Sequence, residues 1–191
     1  MIVLHEKNDE ANISGNAALA TLNWKTKVDL DLWAFYMKKG TEVPKKKGLF
    51  GKLFGGDDTH PISGFGSVGF RTPGRGTIDR FPFIHLDKDS GIGGTLAPGG
   101  FNQENINFAK ISEHNVIIIC ANIFSKNTNF AQYGGNVTVT IGGEVLTVPL
   151  TETSTGSWCT VAMIDNRKPT GPVLRNINRT TKDQPNLIDF L

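Results

Sequence analysis

The 191-residue sequence is poor in the features that announce several common protein classes. It has two cysteines, Cys120 and Cys159, with no CxxC or Cys/His cluster to suggest zinc, and a disulfide or redox role for the pair is the alternative to simple burial. Each cysteine lies in an apolar, strand-like run and is expected to act as a small buried hydrophobe. There is no charge excess, the formal net charge being +2, so nothing in the overall balance points to nucleic acid. The strongest apolar stretch, Val116 to Ala121, is too short to span a bilayer, and the opening MIVLHEKNDE lacks a basic region followed by a long apolar run. A soluble, cytoplasmic protein is the resulting expectation. Helical periodicity is missing as well, and none of His5, His60, His85 and His114 falls beside a nucleophile motif, so the expectation is a protein without catalytic activity. A glycosidase-like pairing of Asp29 with Asp31, or of Asp87 with Glu104, is the enzyme reading that would compete.

What the sequence does contain is alternation and glycine. Ala18, Ala20, Leu22 and Trp24 recur with a period of two, as do Leu30, Leu32, Ala34 and Tyr36, predicting strands over 18–24 and 28–36. The β-branched run Val116-Ile117-Ile118-Ile119 suits a strand buried on both faces. Residues 136–141 and 144–150 flank Gly142-Gly143 and predict a two-residue hairpin; Trp158 to Ile164 supplies a further strand. With 22 glycines punctuating short strands, the expected fold is a single all-β domain over 1–191, an antiparallel β-sandwich with glycine-rich, calcium-type loops at one end. Its core should include Trp24, Leu30, Leu32, Ile117, Ile119, Val137, Val139 and Val161.

Three stretches break the pattern. Residues 44–58 gather Lys45, Lys46, Lys47 and Lys52 around Phe50 and Phe54, which predicts an inserted loop suited to an anionic membrane surface or a partner. A solvent-exposed insertion accounts for the same composition. Gly64 to Phe70 is glycine-rich enough to be read as a loop. From about residue 166 the chain turns polar and basic, predicting a divergent arm that docks its terminal Leu187, Ile188, Phe190 and Leu191.

Two acidic segments hold the chemistry. In Asp29-Leu30-Asp31-Leu32 a strand's period of two places both carboxylates on one side, an unfavourable pairing unless a cation neutralises it or water solvates both. Asp87-Lys88-Asp89-Ser90-Gly91-Ile92-Gly93-Gly94, followed by Glu104, offers carboxylates and flexible carbonyls, an all-oxygen set that favours a hard cation.

The spacing Leu22-Asn23-Trp24 then Val28-Asp29-Leu30-Asp31-Leu32-Trp33-Ala34-Phe35 resembles the LxWxxxxDxDLDAxAF signature of the TerD family. Asp87 to Gly94 is similar to that family's GDNxTGxGxGDDExI segment, and Phe130-Ala131-Gln132 leading to Asn136-Val137-Thr138-Val139-Thr140 resembles its FGQVxNAxIRI strand. The resemblance spans roughly residues 15–165. It implies a bacterial, non-enzymatic calcium-binding protein of tellurium resistance and stress response, acting as a binding or scaffold module alongside other stress-system proteins. The ligands it implies are Asp29, Asp31, Asp87, the carbonyls of Gly91 and Gly93, and Glu104, with Asp89 as a replacement ligand. Lys88, Asn102 and Gln103 stand where the family has amide or acidic residues, so one calcium ion is expected rather than two. The alternative is a membrane- or partner-binding module, calcium-dependent or working through its basic loop, that has lost the metal.

Overall fold

A computed structural model describes residues 4, 6–43, 64–90, 100–124 and 129–191. The inserted loop expected at 44–58, with Lys45, Lys46, Lys47, Phe50, Lys52 and Phe54, lies outside the described residues, as do Gly91 and Gly93.

Twelve strands follow in order: β1 (Glu10–Asn12), β2 (Ala18–Trp24), β3 (Leu30–Lys38), β4 (Phe65–Val68), β5 (Gly76–Thr77), β6 (Ile84–Leu86), β7 (Asn102–Phe108), β8 (His114–Ile123), β9 (Asn136–Ile141), β10 (Glu144–Pro149), β11 (Trp158–Asp165) and β12 (Val173–Thr181). They form two six-stranded antiparallel sheets, ordered β1-β12-β11-β8-β3-β4 and β10-β9-β2-β7-β6-β5. The protein is an all-β sandwich.

Alternation explains how the sheets pack. Ala18, Ala20, Leu22 and Trp24 of β2 meet Leu30, Leu32 and Ala34 of β3 and Ile117 and Ile119 of β8 in the inter-sheet core. Every core residue expected from the pattern is buried there, Val137, Val139 and Val161 included. Gly142 and Gly143 take φ of 57° and 87°, the positive values that a two-residue hairpin turn requires, and Ile141 pairs with Glu144 across it.

The strand expected over 28–36 is displaced by two residues to Leu30–Lys38. The Trp24 indole N–H donates to the Val28 carbonyl at 2.7 Å, so Val28 closes the loop instead of entering the ladder.

Two expectations are corrected. Phe65–Val68, read as loop, is edge strand β4, pairing with β3 from Ala34 to Met37. Its glycines make room for aromatic rings, since a Cβ on Gly66 would collide with the Tyr36 ring and one on Gly69 with the Trp33 ring. The segment from about 166 is not a separate arm, because Val173–Thr181 pairs with β11 on one side and β1 on the other. The last residues do dock as expected. Leu187 is fully buried and Ile188, Phe190 and Leu191 pack on an outer cluster of Trp33, Phe35, Met37, Ile118 and Cys120, so the first sheet is covered on both faces.

Cys120 belongs to this outer cluster and Cys159 to the inter-sheet core, on opposite faces of their sheet, and both thiols are free. Burial pushes the Cys120 thiol up and the Cys159 thiol up to about 12. Neither should react with an aromatic disulfide reagent in the native state, and both should react once denaturant unfolds the sandwich. Rapid native labelling of either would place it at a surface and overturn this arrangement.

Candidate metal centre

The acidic residues meet at the end of the sandwich where β2 passes into β3. The loop closed by Trp24 and Val28 delivers Asp29, and the strand period sets Asp31 beside it while Leu30 and Leu32 enter the core. Edge strand β4 ends opposite Ala34, leaving the Leu32 N–H with no neighbouring strand among the described residues to receive it. Glu104 of β7, in the other sheet, takes that role: its Oε2 accepts from the Leu32 N–H at 2.8 Å and its Oε1 from the Ser90 N–H at 3.0 Å. One buried carboxylate thus ties both sheets and the 87–90 segment together.

That segment is anchored along β7. Asp87 Oδ1 accepts the backbone N–H groups of Lys88 at 2.6 Å and Asn105 at 3.1 Å, and its Oδ2 accepts from Asn105 Nδ2 at 2.7 Å. The Ser90 hydroxyl donates to the Gln103 carbonyl at 2.8 Å. Between these anchors Asp89 reaches the aspartates of β3, and one carboxylate oxygen from each of Asp29, Asp31 and Asp89 lies within 4.8 Å of the others. Asp89 joins Asp29 and Asp31, Glu104 stands behind them, and Asp87 is occupied in holding the segment to β7.

The group is electrostatically uncomfortable without a cation. Asp31 is only 2% exposed, and its Oδ2, like Oδ1 of Asp29, is buried with no hydrogen-bond partner among the described residues. Burial, reinforced by the charges of Asp29 and Asp89 and opposed by Arg71, pushes the Asp31 carboxyl up to about 7. Asp29 is raised by burial and then by Asp89. Asp89 is raised by burial, with Arg75 pulling the other way. Glu104, fully buried, is pushed up to about 9, since loss of solvent outweighs its two N–H donors and the neighbouring acids add to the shift.

These features fit a hard divalent cation: three carboxylates converge, two of them carry a buried oxygen unpaired among the described residues, and no sulfur or imidazole is in the group. The arginines of the stretch after β4 escaped notice in the sequence. Arg71 acts on Asp31, 40 residues earlier in the chain, and Arg75 on Asp89, 14 residues later. No local pattern connects that loop to the acids; the pairing of β4 with β3 does.

The fold and site together define an antiparallel β-sandwich with a three-aspartate cluster at one end. No known protein family matches the sequence, and no curated protein matches it. The crystal structure of SAV2460, a protein of unknown function, superimposes with a TM-score of 0.58 over 92% of this chain and 94% of that one, at 16% identity. That likeness shows a shared fold.

Proposed function

We propose that the protein is a non-enzymatic, cytoplasmic calcium-binding module of the TerD-type stress-response and tellurium-resistance kind, acting as a scaffold for other proteins of such a system. The observation that supports this reading most is the buried Oδ2 of Asp31, unpartnered among the described residues, on a carboxylate grouped with two further aspartates; its burial is unfavourable until a cation pairs with it. Asp29, Asp31 and Asp89 are the ligands in this proposal, and Glu104 shapes the site from behind. Calcium is favoured over magnesium because half-buried and buried carboxylates carried on two separate chain segments suit a large, adaptable oxygen shell better than a tight octahedron. A glycosidase-like role is disfavoured, since Asp87 is engaged with Asn105 and Glu104 has no exposed surface from which to reach a substrate.

Isothermal titration calorimetry of chelator-treated protein with calcium and with magnesium tests the proposal. A saturable heat with calcium at a stoichiometry near one, reduced at least tenfold in affinity by Asp31→Asn, is expected. Equal and negligible heats for both ions, in the wild-type protein and the variant, would remove the metal from this function.

A further inference from the structure

The acidic end also displays apolar and basic side chains that coordination does not use. Two phenylalanines are exposed among the described residues, Phe101 at 47% and Phe124 at 53%, and both stand at this end. Phe124 follows β8 and its N–H donates to the Asp29 carbonyl at 3.0 Å. Phe101 precedes β7, whose first residue pairs with Trp24, the last of β2. Phe70 meets Phe124 edge-on at 5.5 Å, and the Arg71 guanidinium lies over both rings, 5.2 Å and 5.9 Å from their centres. Lys25 and Lys27, exposed in the β2–β3 loop, and Lys88, exposed beside Asp89, complete a basic rim with Arg71 and Arg75. None of these five side chains has an ion pair among the described residues.

The balance of charge here depends on the ion. Without it, three aspartates offset much of the rim; a bound divalent cation cancels most of their charge and leaves the five basic groups facing outward around two exposed aromatic rings. Phosphate oxygens are complementary to both parts, completing the shell of an ion that takes six to eight oxygens and pairing with Arg71. Exposed phenylalanines bordered by Lys and Arg also suit the boundary between headgroups and acyl chains, which a soluble phosphorylated ligand does not provide. We infer that, when the cation site is filled, this end of the sandwich docks on an anionic phospholipid surface, with Phe101 and Phe124 entering the interface and Arg71 contacting phosphate. The inference rests on the proposed cation site and draws on none of the lysines of residues 44–58.

Co-sedimentation of the full chain with vesicles of phosphatidylcholine, with and without phosphatidylglycerol, tests it, alongside calcium calorimetry in the absence of lipid. Pelleting is expected only when calcium and phosphatidylglycerol are both present. The Phe101→Ala/Phe124→Ala double variant should keep its calcium heat and melting temperature while losing vesicle affinity roughly tenfold or more, the scale of withdrawing buried aromatic surface from the interface. A normal calcium heat without pelleting, or a double variant that pellets like the wild type, overturns the docking surface and leaves the cation site standing. Absence of a calcium heat removes both. Pelleting that persists in chelator and vanishes when Lys45, Lys46, Lys47 and Lys52 become Gln assigns the contact to the other segment and also overturns the inference.

Discussion

Calcium-free protein should become less stable as the pH rises from about 5 to about 8, and calcium should reverse the loss. Asp31 has an ordinary carboxyl pKa of 3.8 when unfolded and about 7 when folded, and Glu104 moves from 4.5 to about 9. Both folded-state values are raised, so between the unfolded and folded values the native state holds protons that the unfolded chain has released. Stability from these groups is therefore complete below the unfolded values and falls as pH climbs through the window. For Asp31 alone the full shift corresponds to about 4 kcal/mol, and in a domain of this size about 1 kcal/mol displaces the melting temperature by roughly 2–4 °C. A decline of roughly ten degrees across the window is expected in chelator. Calcium at one hundred times its dissociation constant adds about 2.7 kcal/mol, and because it binds the ionised carboxylates its effect should be larger at the upper end of the range. Asp31→Asn should make the chelator profile shallower, leaving the part due to Glu104, and should remove the calcium effect. Below the ordinary carboxylate range the sign changes. Asp165, whose burial would raise it, is held low by its side-chain and backbone hydrogen bonds from Arg167, so its contribution disappears as acid protonates it. Differential scanning calorimetry over this pH range decides the matter; a profile in chelator that rises steadily with pH contradicts the raised acids.

Glu104→Ala should cost about 2–5 kcal/mol, with or without calcium, because it orphans two buried N–H donors, those of Leu32 and Ser90, and opens a void between the sheets. Glu104→Gln is the informative control. Its amide oxygen can satisfy one donor while its NH2 faces the other, so it should recover part of the lost stability but lack the charge that a nearby cation favours. Urea denaturation of both variants separates the roles. If Glu104→Ala unfolds at the wild-type midpoint, Glu104 does not join the two sheets, and the 87–90 segment is held by Asp87 and Ser90 alone.

Much of this architecture was legible before any coordinates. Ala18 to Trp24, the Val116 to Ile119 run and the Gly142-Gly143 hairpin follow from side-chain alternation and from the few residues that accept positive φ, both of which act over a handful of positions. Asp29 and Asp31 were recognisable as neighbours for the same reason. Gly64 to Phe70 failed because glycine signals turns locally, whereas here Gly66 and Gly69 accommodate the rings of Tyr36 and Trp33 arriving from a strand about thirty residues earlier. Val173 to Thr181 failed because polar residues dominate its composition, and its place beside β11 is decided by pairing along the whole edge of that strand.

The site divides along the same line. The sequence by itself determined that Asp29, Asp31, Asp87, Asp89 and Glu104 were available as oxygen donors near strand ends, since residue type and short-range periodicity establish that much. Tertiary structure alone decided among them. Asn105 of β7 claims Asp87, the open edge of β3 beyond Ala34 draws Glu104 inward to Leu32, and Asp89 is left to face Asp29 and Asp31 beside Arg71 and Arg75. Each outcome turns on which backbone N–H remains unpaired where one strand ends and another continues, a property of sheet register that no single stretch of sequence contains.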